Sequence, residues 1–164
     1  MKTIVGLGNP GTEYARTRHN AGRIALEYFA NPPSLKLRRA SKDDFPDWNF
    51  AKKYESLVSE GKIAKEPILL LLPETFMNNS GKAVKNISAK NLIVLHDDID
   101  LPLGKIKISF GRGSGGHKGV ESVIRALKTR DFWRIRIGVS PKHKPPHKKI
   151  PGFLTSPMRK PDLE

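Results

Sequence analysis

The chain has 164 residues, 37% hydrophobic and 28% charged, enough for one folded domain with its own core. It contains no cysteine, which excludes a disulfide scaffold, a zinc–thiolate site and a thiol nucleophile. The formal net charge is +14, of which residues 101–164 carry +11 and residues 1–100 only +3. A field of that sign favours a polyanionic partner, nucleic acid before an anionic membrane surface. The competing explanation is a solubility bias or a basic tail.

Thr3–Leu7 is short, β-branched and apolar and runs into Gly8-Asn9-Pro10-Gly11, the pattern of a buried strand ending in a tight turn. Met1–Val5 enters that strand at once, so no signal or transit peptide is expected. Ala21–Ala30 carries apolar residues at helical spacing and stops at Asn31-Pro32-Pro33. Residues 34–50 mix charge, proline and aspartate and read as loop. Tyr54–Ser59 and Pro67–Leu72 flank Glu60-Gly61-Lys62 as a hairpin or neighbouring strands. A helix over Lys82–Ala89 follows, with Ser80 as candidate N-cap. Leu92–Leu95 is a second buried strand, ending in His96-Asp97-Asp98. Lys105–Phe110 alternates as a half-exposed strand, Gly111–Gly119 is a glycine loop, Val120–Leu127 a helix and Trp133–Val139 a strand. Residues 141–151, rich in Pro, Lys and His, read as a mobile basic loop. No run approaches the roughly 18 apolar residues of a membrane span. Alternating strands and helices with one hairpin predict a single α/β domain over 1–164, with a mixed central β-sheet and helices packed on both faces.

In open α/β sheets, ligands bind beyond the carboxyl ends of the strands. Gly8–Asn20, Pro73–Gly81 and His96–Gly104 fall there, with the glycine loop as a fourth cluster. Gly6–Gly11 superficially suggests a dinucleotide fingerprint, but Pro10 and the spacing break it, so no nucleotide cofactor is expected. It is either a plain turn or a turn whose Asn9 amide donates to a carbonyl or oxyanion. His19 is a candidate general base, because its unperturbed pKa lies near neutrality. Asp97 is the candidate carboxylate that would orient it. Ser80 and Ser114 lie outside any G-x-S-x-G elbow, so the pair points to an activated water rather than a covalent intermediate. His96-Asp97-Asp98-Ile99-Asp100 lacks the spacing of a strong metal motif, and no metal is expected. The glycine loop allows close backbone approach, and the helix N-terminus beyond it suits phosphate; the alternative is a flexible loop. Lys105 and Lys107 share one strand face, as do Arg134 and Arg136, a phosphate-tracking or merely solvated surface. The run Lys142–Lys149 reads as a solvated loop adding non-specific attraction.

Taken together, these motifs resemble the bacterial-type peptidyl-tRNA hydrolase family. Ile4–Gly11, then Tyr14, Thr17–Asn20 and Gly22, is similar to that family's N-terminal signature. Pro73–Gly81, His96–Gly104 with Gly113–Gly119, Arg134–Gly138 and Gly152-Phe153-Leu154 follow in order. The resemblance implies hydrolysis of the ester joining a peptide to the 3′-terminal ribose of tRNA, recycling tRNA during translation, with no metal or organic cofactor. It implies His19 and Asp97 as catalytic pair and Asn9 and Asn78 at the peptide main chain. Tyr14, Phe76, His117 and Lys118 would line the substrate groove, and Lys107 and Arg136, with Lys105 nearby, would meet tRNA phosphate. It also implies a cytoplasmic monomer, or an organellar one with its transit peptide removed, acting on peptidyl-tRNA and not on membranes.

The sequence departs from the family at several points. Lys118 stands where the family has Asn, and a charged lysine accepts no hydrogen bond. Ser109 occupies the position of a second phosphate-contacting Lys, and Asp98 that of a Glu. The family's C-terminal helix is missing or shortened after Leu154, and Leu163-Glu164 is of the kind an expression vector leaves. Two alternatives stand beside the enzyme: a non-catalytic RNA-binding relative, such as a splicing or ribosome-associated factor, and a nucleotide-dependent enzyme using Gly6–Gly11.

Overall fold

The computed structural model describes residues 1–32 and 45–163. Among these, seven strands form one sheet in the order β2-β3-β4-β1-β5-β7-β6. They are β1 (Lys2–Gly6), β2 (Asn49–Ala51), β3 (Ser56–Ile63), β4 (Glu66–Pro73), β5 (Leu92–Pro102), β6 (Ile106–Phe110) and β7 (Trp133–Ser140). The inner strands β4, β1, β5 and β7 run parallel, while β2, β3 and β6 add antiparallel edges. The sheet is therefore mixed, as expected.

Both faces of its centre are buried, which is why β1, β4 and β5 read as near-continuous apolar runs rather than alternating ones. Helix α1 (Ala21–Ala30) sets Leu26 and Ala30 on Ile68, Leu70, Leu72 and Leu95. On the other face α2 (Gly81–Val84) and α3 (Lys118–Leu127) set Ala83, Val84, Val120 and Val123 on Val5, Leu7, Leu71 and Val94. Each buried Leu or Val stabilises the fold by about 1.5–3 kcal/mol relative to exposure. The outer strands are less covered. Ile106, Ile108 and Phe110 of β6 and Trp133 of β7 stay exposed on the α1 face.

Several boundaries differ from the expectation for identifiable reasons. The β3–β4 turn is Ala64-Lys65, both at positive φ (49° and 69°), not Glu60–Lys62. Positive φ at both central residues matches the right-handed twist of the strands, and Gly61 instead pairs with Ile68 inside the hairpin. Residues 49 and 50 of the expected 34–50 loop belong to β2, which pairs with β3, and residues 34–44 of that loop lie outside the described residues. Ser80 does not cap a helix. Its hydroxyl donates to the Met77 carbonyl at 2.7 Å, and α2 closes after four residues. Strand β5 does not end at Leu95 but continues through His96–Asp98 because β7 pairs with it there. Helix α3 begins at Lys118, two residues early. The basic stretch 141–151 does not remain loop throughout: it turns at His147–Lys149 and enters α4 (Ile150–Leu154). A further short helix, α5 (Lys160–Leu163), follows.

One glycine sets how α1 meets the sheet. A β-carbon on Gly22 would lie 2.7 Å from the Leu95 carbonyl carbon and 3.0 Å from His96 Cα, both backbone atoms that cannot swing aside. Gly22→Ala is therefore expected to destabilise the protein by about 2–3 kcal/mol through overpacking. That corresponds to a fall in Tm of roughly 5–10 °C for a domain of this size. An unchanged melting curve by differential scanning calorimetry would contradict this close approach.

Candidate active site

The continuation of β5 past its neighbour β1 carries Asp97 to the carboxyl edge of the parallel strands. Its side chain is 1% exposed. Oδ2 lies 2.8 Å from His19 Nδ1, and Oδ1 lies 2.7 Å from His117 Nε2. The two imidazoles stand 4.9 Å apart, centroid to centroid. Burial alone would raise the Asp97 pKa, but the two imidazoles outweigh it and hold the carboxyl well below its usual range. Burial acts to lower the His19 pKa, and the Asp97 charge and hydrogen bond reverse this, leaving it raised above 6.5. His96 is different: burial, helped by the neighbouring His117, pushes it down to about 3. Its Nδ1 lies 2.7 Å from the Asp97 carbonyl, which only accepts, so the ring proton sits on Nδ1. Its buried Nε2 has no partner among the described residues.

His19 lies on a single 3-10 turn, Arg18–Asn20, just before α1. Such a short turn has little rigidity of its own, and contacts on both sides hold it. Arg18 Nη1 donates to Ser156 Oγ at 2.8 Å, and its guanidinium lies 4.2 Å from the Phe153 ring centre. Met158 N donates to the Arg16 carbonyl at 2.7 Å. On the opposite side Asn20 brackets the Asn9 backbone: its Oδ1 accepts from Asn9 N and its Nδ2 donates to the Asn9 carbonyl, both at 2.9 Å. Asn9 Oδ1 in turn accepts from Met77 N at 2.7 Å. This chain of bonds joins the turn after β1 to the short turn Met77–Asn79. There Asn78 is exposed, and Phe76 meets Tyr14 edge-on at 6.2 Å.

Beyond His19 opens a cleft of about 820 Å³. Its walls are the glycine loop Arg112–Gly116, Lys118, the β7 arginines Arg134 and Arg136, and the segment from His147 to Thr155. The acidic run 96–100 does not converge on one point. Asp97 faces the imidazoles, Asp98 accepts from Arg136 Nε at 2.6 Å, and Asp100 pairs with Lys144. The metal arrangement considered for that run therefore does not form. Arg136 Nη1 also donates to Ser109 Oγ at 3.2 Å, and Lys107 is its cross-strand neighbour on β6. Lys105 precedes β6 and is exposed. Arg134, two residues from Arg136 on the same sheet face, is 3% exposed, and its Nε has no partner among the described residues.

The peptidyl-tRNA hydrolase family model matches residues 3–164. The chain belongs to that family. A peptidyl-tRNA hydrolase of Syntrophotalea carbinolica is 41% identical over 145 residues, covering 85% of this chain and 70% of the relative. One from Thermodesulfovibrio yellowstonii is 40% identical over 166 residues, covering 96% and 80%. The crystal structure of peptidyl-tRNA hydrolase from Acinetobacter baumannii superposes with a TM-score of 0.84 at 31% identity, covering 99% of this chain and 79% of that one. A complex of a peptidyl-tRNA hydrolase with N-propanol gives 0.83 at 30% identity. These likenesses support a hydrolase acting in translation and lend nothing to a non-catalytic RNA-binding relative.

Within this peptidyl-tRNA hydrolase fold, His19, Asp97 and His117 meet directly. Asn9 is tied to the turn that carries Asn78 through Met77 N, Tyr14 meets Phe76, and Lys118 and Arg136 line the basic cleft, with Lys107 opposite Arg136 on β6. Sequence reasoning missed Arg112 and the wall from His147 to Thr155. A Pro/Lys/His-rich stretch has the composition of a solvated loop, and only the tertiary path folds it over the cleft. It also missed the burial of Arg134, although strand parity had already set Arg134 beside Arg136.

The buried imidazole of His96 makes the fold acid-sensitive. The unfolded chain binds a proton at His96 near pH 6.5, the folded one only near 3. Stability should therefore fall as pH drops through that window, because the unfolded state holds more protons there. His96→Asn keeps a donor for the Asp97 carbonyl and removes the titration. Urea midpoints measured from pH 7 to 4 should drop less steeply for this variant. Parallel curves would contradict the assignment.

Proposed function

We propose that this chain cleaves the ester between a peptide and the 3′-terminal ribose of tRNA through a water activated by His19. The observation that carries the reading is the Asp97 carboxylate at 2.8 Å from His19 Nδ1. A carboxylate accepts, so His19 Nδ1 carries the proton and its Nε2 keeps a lone pair for a water. His19 Nε2 takes a proton from that water as the oxygen attacks the ester carbonyl. Asp97 stabilises the imidazolium that forms. The tetrahedral oxyanion is met by amide donors, Asn9 and Asn78, an electrostatic contribution that is often the largest in acyl transfer. Asn9 suits this role because its Oδ1 is held by Met77 N, which fixes Nδ2 as the outward donor. Collapse breaks the carbonyl–ribose bond, and the departing ribose oxygen takes the proton from His19. An ester needs no stronger catalyst than one base and fixed donors.

Tyr14 and Phe76 supply an aromatic edge for the peptide side. His117 and Lys118 border the groove. Lys105, Lys107 and Arg136 meet phosphate of the acceptor end, where Arg136 arrives already paired with Asp98 and oriented by Ser109. No described helix is long and apolar enough to cross a membrane, which is compatible with a cytoplasmic monomer working on free peptidyl-tRNA.

His19→Ala should lower hydrolysis of N-blocked aminoacyl-tRNA by about 10²–10⁴-fold, the usual contribution of a general base, with an unchanged circular dichroism spectrum. Unblocked aminoacyl-tRNA is the control. Because Asp97 raises the His19 pKa, the acidic limb of kcat/KM should lie above pH 6.5 and move down in Asp97→Asn. Wild-type turnover by His19→Ala would refute the mechanism.

A further inference from the structure

We propose that His117 is a positioning residue that holds Asp97 through a proton whose place is set by helix α3, rather than a contact for the peptide. The inference rests on the reading of His19 as base. His117 is the N-cap of α3, and its Nδ1 accepts from the backbone N–H of Gly119 at 3.1 Å and of Val120 at 3.2 Å. An N-cap acceptor satisfies otherwise orphaned donors of the first turn. With two N–H groups directed at it, Nδ1 carries no proton. The proton of the neutral ring is therefore on Nε2, which donates to Asp97 Oδ1 at 2.7 Å. The other carboxylate oxygen is left to accept from His19.

The backbone amides fix His117 as a donor to Asp97, and the carboxylate, which only accepts, fixes His19 as the donor on its other oxygen. Amides donate to His117, His117 donates to Asp97, and Asp97 accepts from His19, whose Nε2 is thereby the free base. Burial strengthens the case. The His117 side chain is 8% exposed and makes two acceptor contacts and one donor contact within the protein. Both ring nitrogens are thus occupied, and neither is left for a substrate. The glycine loop serves this placement. Gly115 and Gly116 take φ of 60° and 85°, a left-handed pair that only glycine adopts without strain, and they swing the chain so that His117 turns inward onto Asp97.

Two substitutions separate the roles, because they copy different halves of the ring. Asn places an acceptor at the level of Nδ1 and cannot reach Asp97. Gln places an N–H donor at the level of Nε2 and is a poor cap. His117→Asn should keep the α3 cap, melt below wild type because Asp97 Oδ1 loses its donor, lose kcat on the order of 10- to 100-fold, and leave KM unchanged. Its acidic limb should move to higher pH, since the Asp97 charge is then shared with His19 alone. His117→Gln should melt roughly 2–4 °C lower through loss of the cap and retain more kcat than His117→Asn. A raised KM with wild-type kcat and an unmoved pH profile in His117→Asn would overturn the proposal in favour of a substrate contact. His19→Ala, run in parallel, tests the base separately: if it stays active, the underlying mechanism fails whatever the His117 variants do.

Discussion

One buried carboxylate organises the active end of this protein. Removing a charged group from water costs several kcal/mol even after relaxation, so Asp97 is tolerable only while both of its oxygens are occupied. Two imidazoles do this, at 2.8 and 2.7 Å. They come from elements far apart in sequence: His19 from the turn that opens α1 and His117 from the cap of α3. Helices on opposite faces of the sheet are thus tied to one atom pair at its carboxyl edge. The energetic need of the carboxylate and the geometric need of the general base proposed at His19 are met by the same bonds.

The supports of that centre are distributed in the same way. Gly22 lets α1 approach β5 closely enough for His19 to reach Asp97. The segment Phe153–Met158 braces the turn from outside through Arg18 and Arg16. Asn20 and Asn9 brace it from inside and carry the connection on to Met77. The positive charge is divided by similar pairings. Asp98 and Asp100 take up Arg136 and Lys144, whereas Arg134 is buried beside Arg136 and Arg112 and forms no ion pair among the described residues. This leaves the cleft beyond His19 basic but ordered, consistent with a polyanion entering beside the buried Asp97 carboxylate.

The apolar strands, the glycine turns and the ordered motifs were readable from residue pattern, because each depends on local chemistry and periodicity. His19 and Asp97 could be paired by asking which carboxylate ends a buried strand. What could not be read depended on distant partners. The extension of β5 comes from β7, which pairs with His96–Asp98 from some forty residues away. The donor role of His117 requires knowing that its Nδ1 faces two amides of its own helix while its Nε2 faces β5. Asn9 was visible as an amide near the site, but which of its two ends is free follows only from Met77. The exposed apolar side chains of β6 mislead for a related reason. Their alternation with Lys107 and Ser109 marks a strand, and the buried position turns out to be the serine.

The proposed chemistry requires one arrangement of protons: His19 protonated on Nδ1, His117 on Nε2, and Asp97 ionised between them. Long-range proton–nitrogen correlation spectra of the ¹⁵N-labelled protein, recorded above the His19 pKa, measure it directly, because protonated and bare ring nitrogens differ widely in chemical shift. A bare Nε2 in His19 and a bare Nδ1 in His117 are expected. A His19 ring protonated on Nε2 would contradict that arrangement, since no lone pair would then be available to the attacking water.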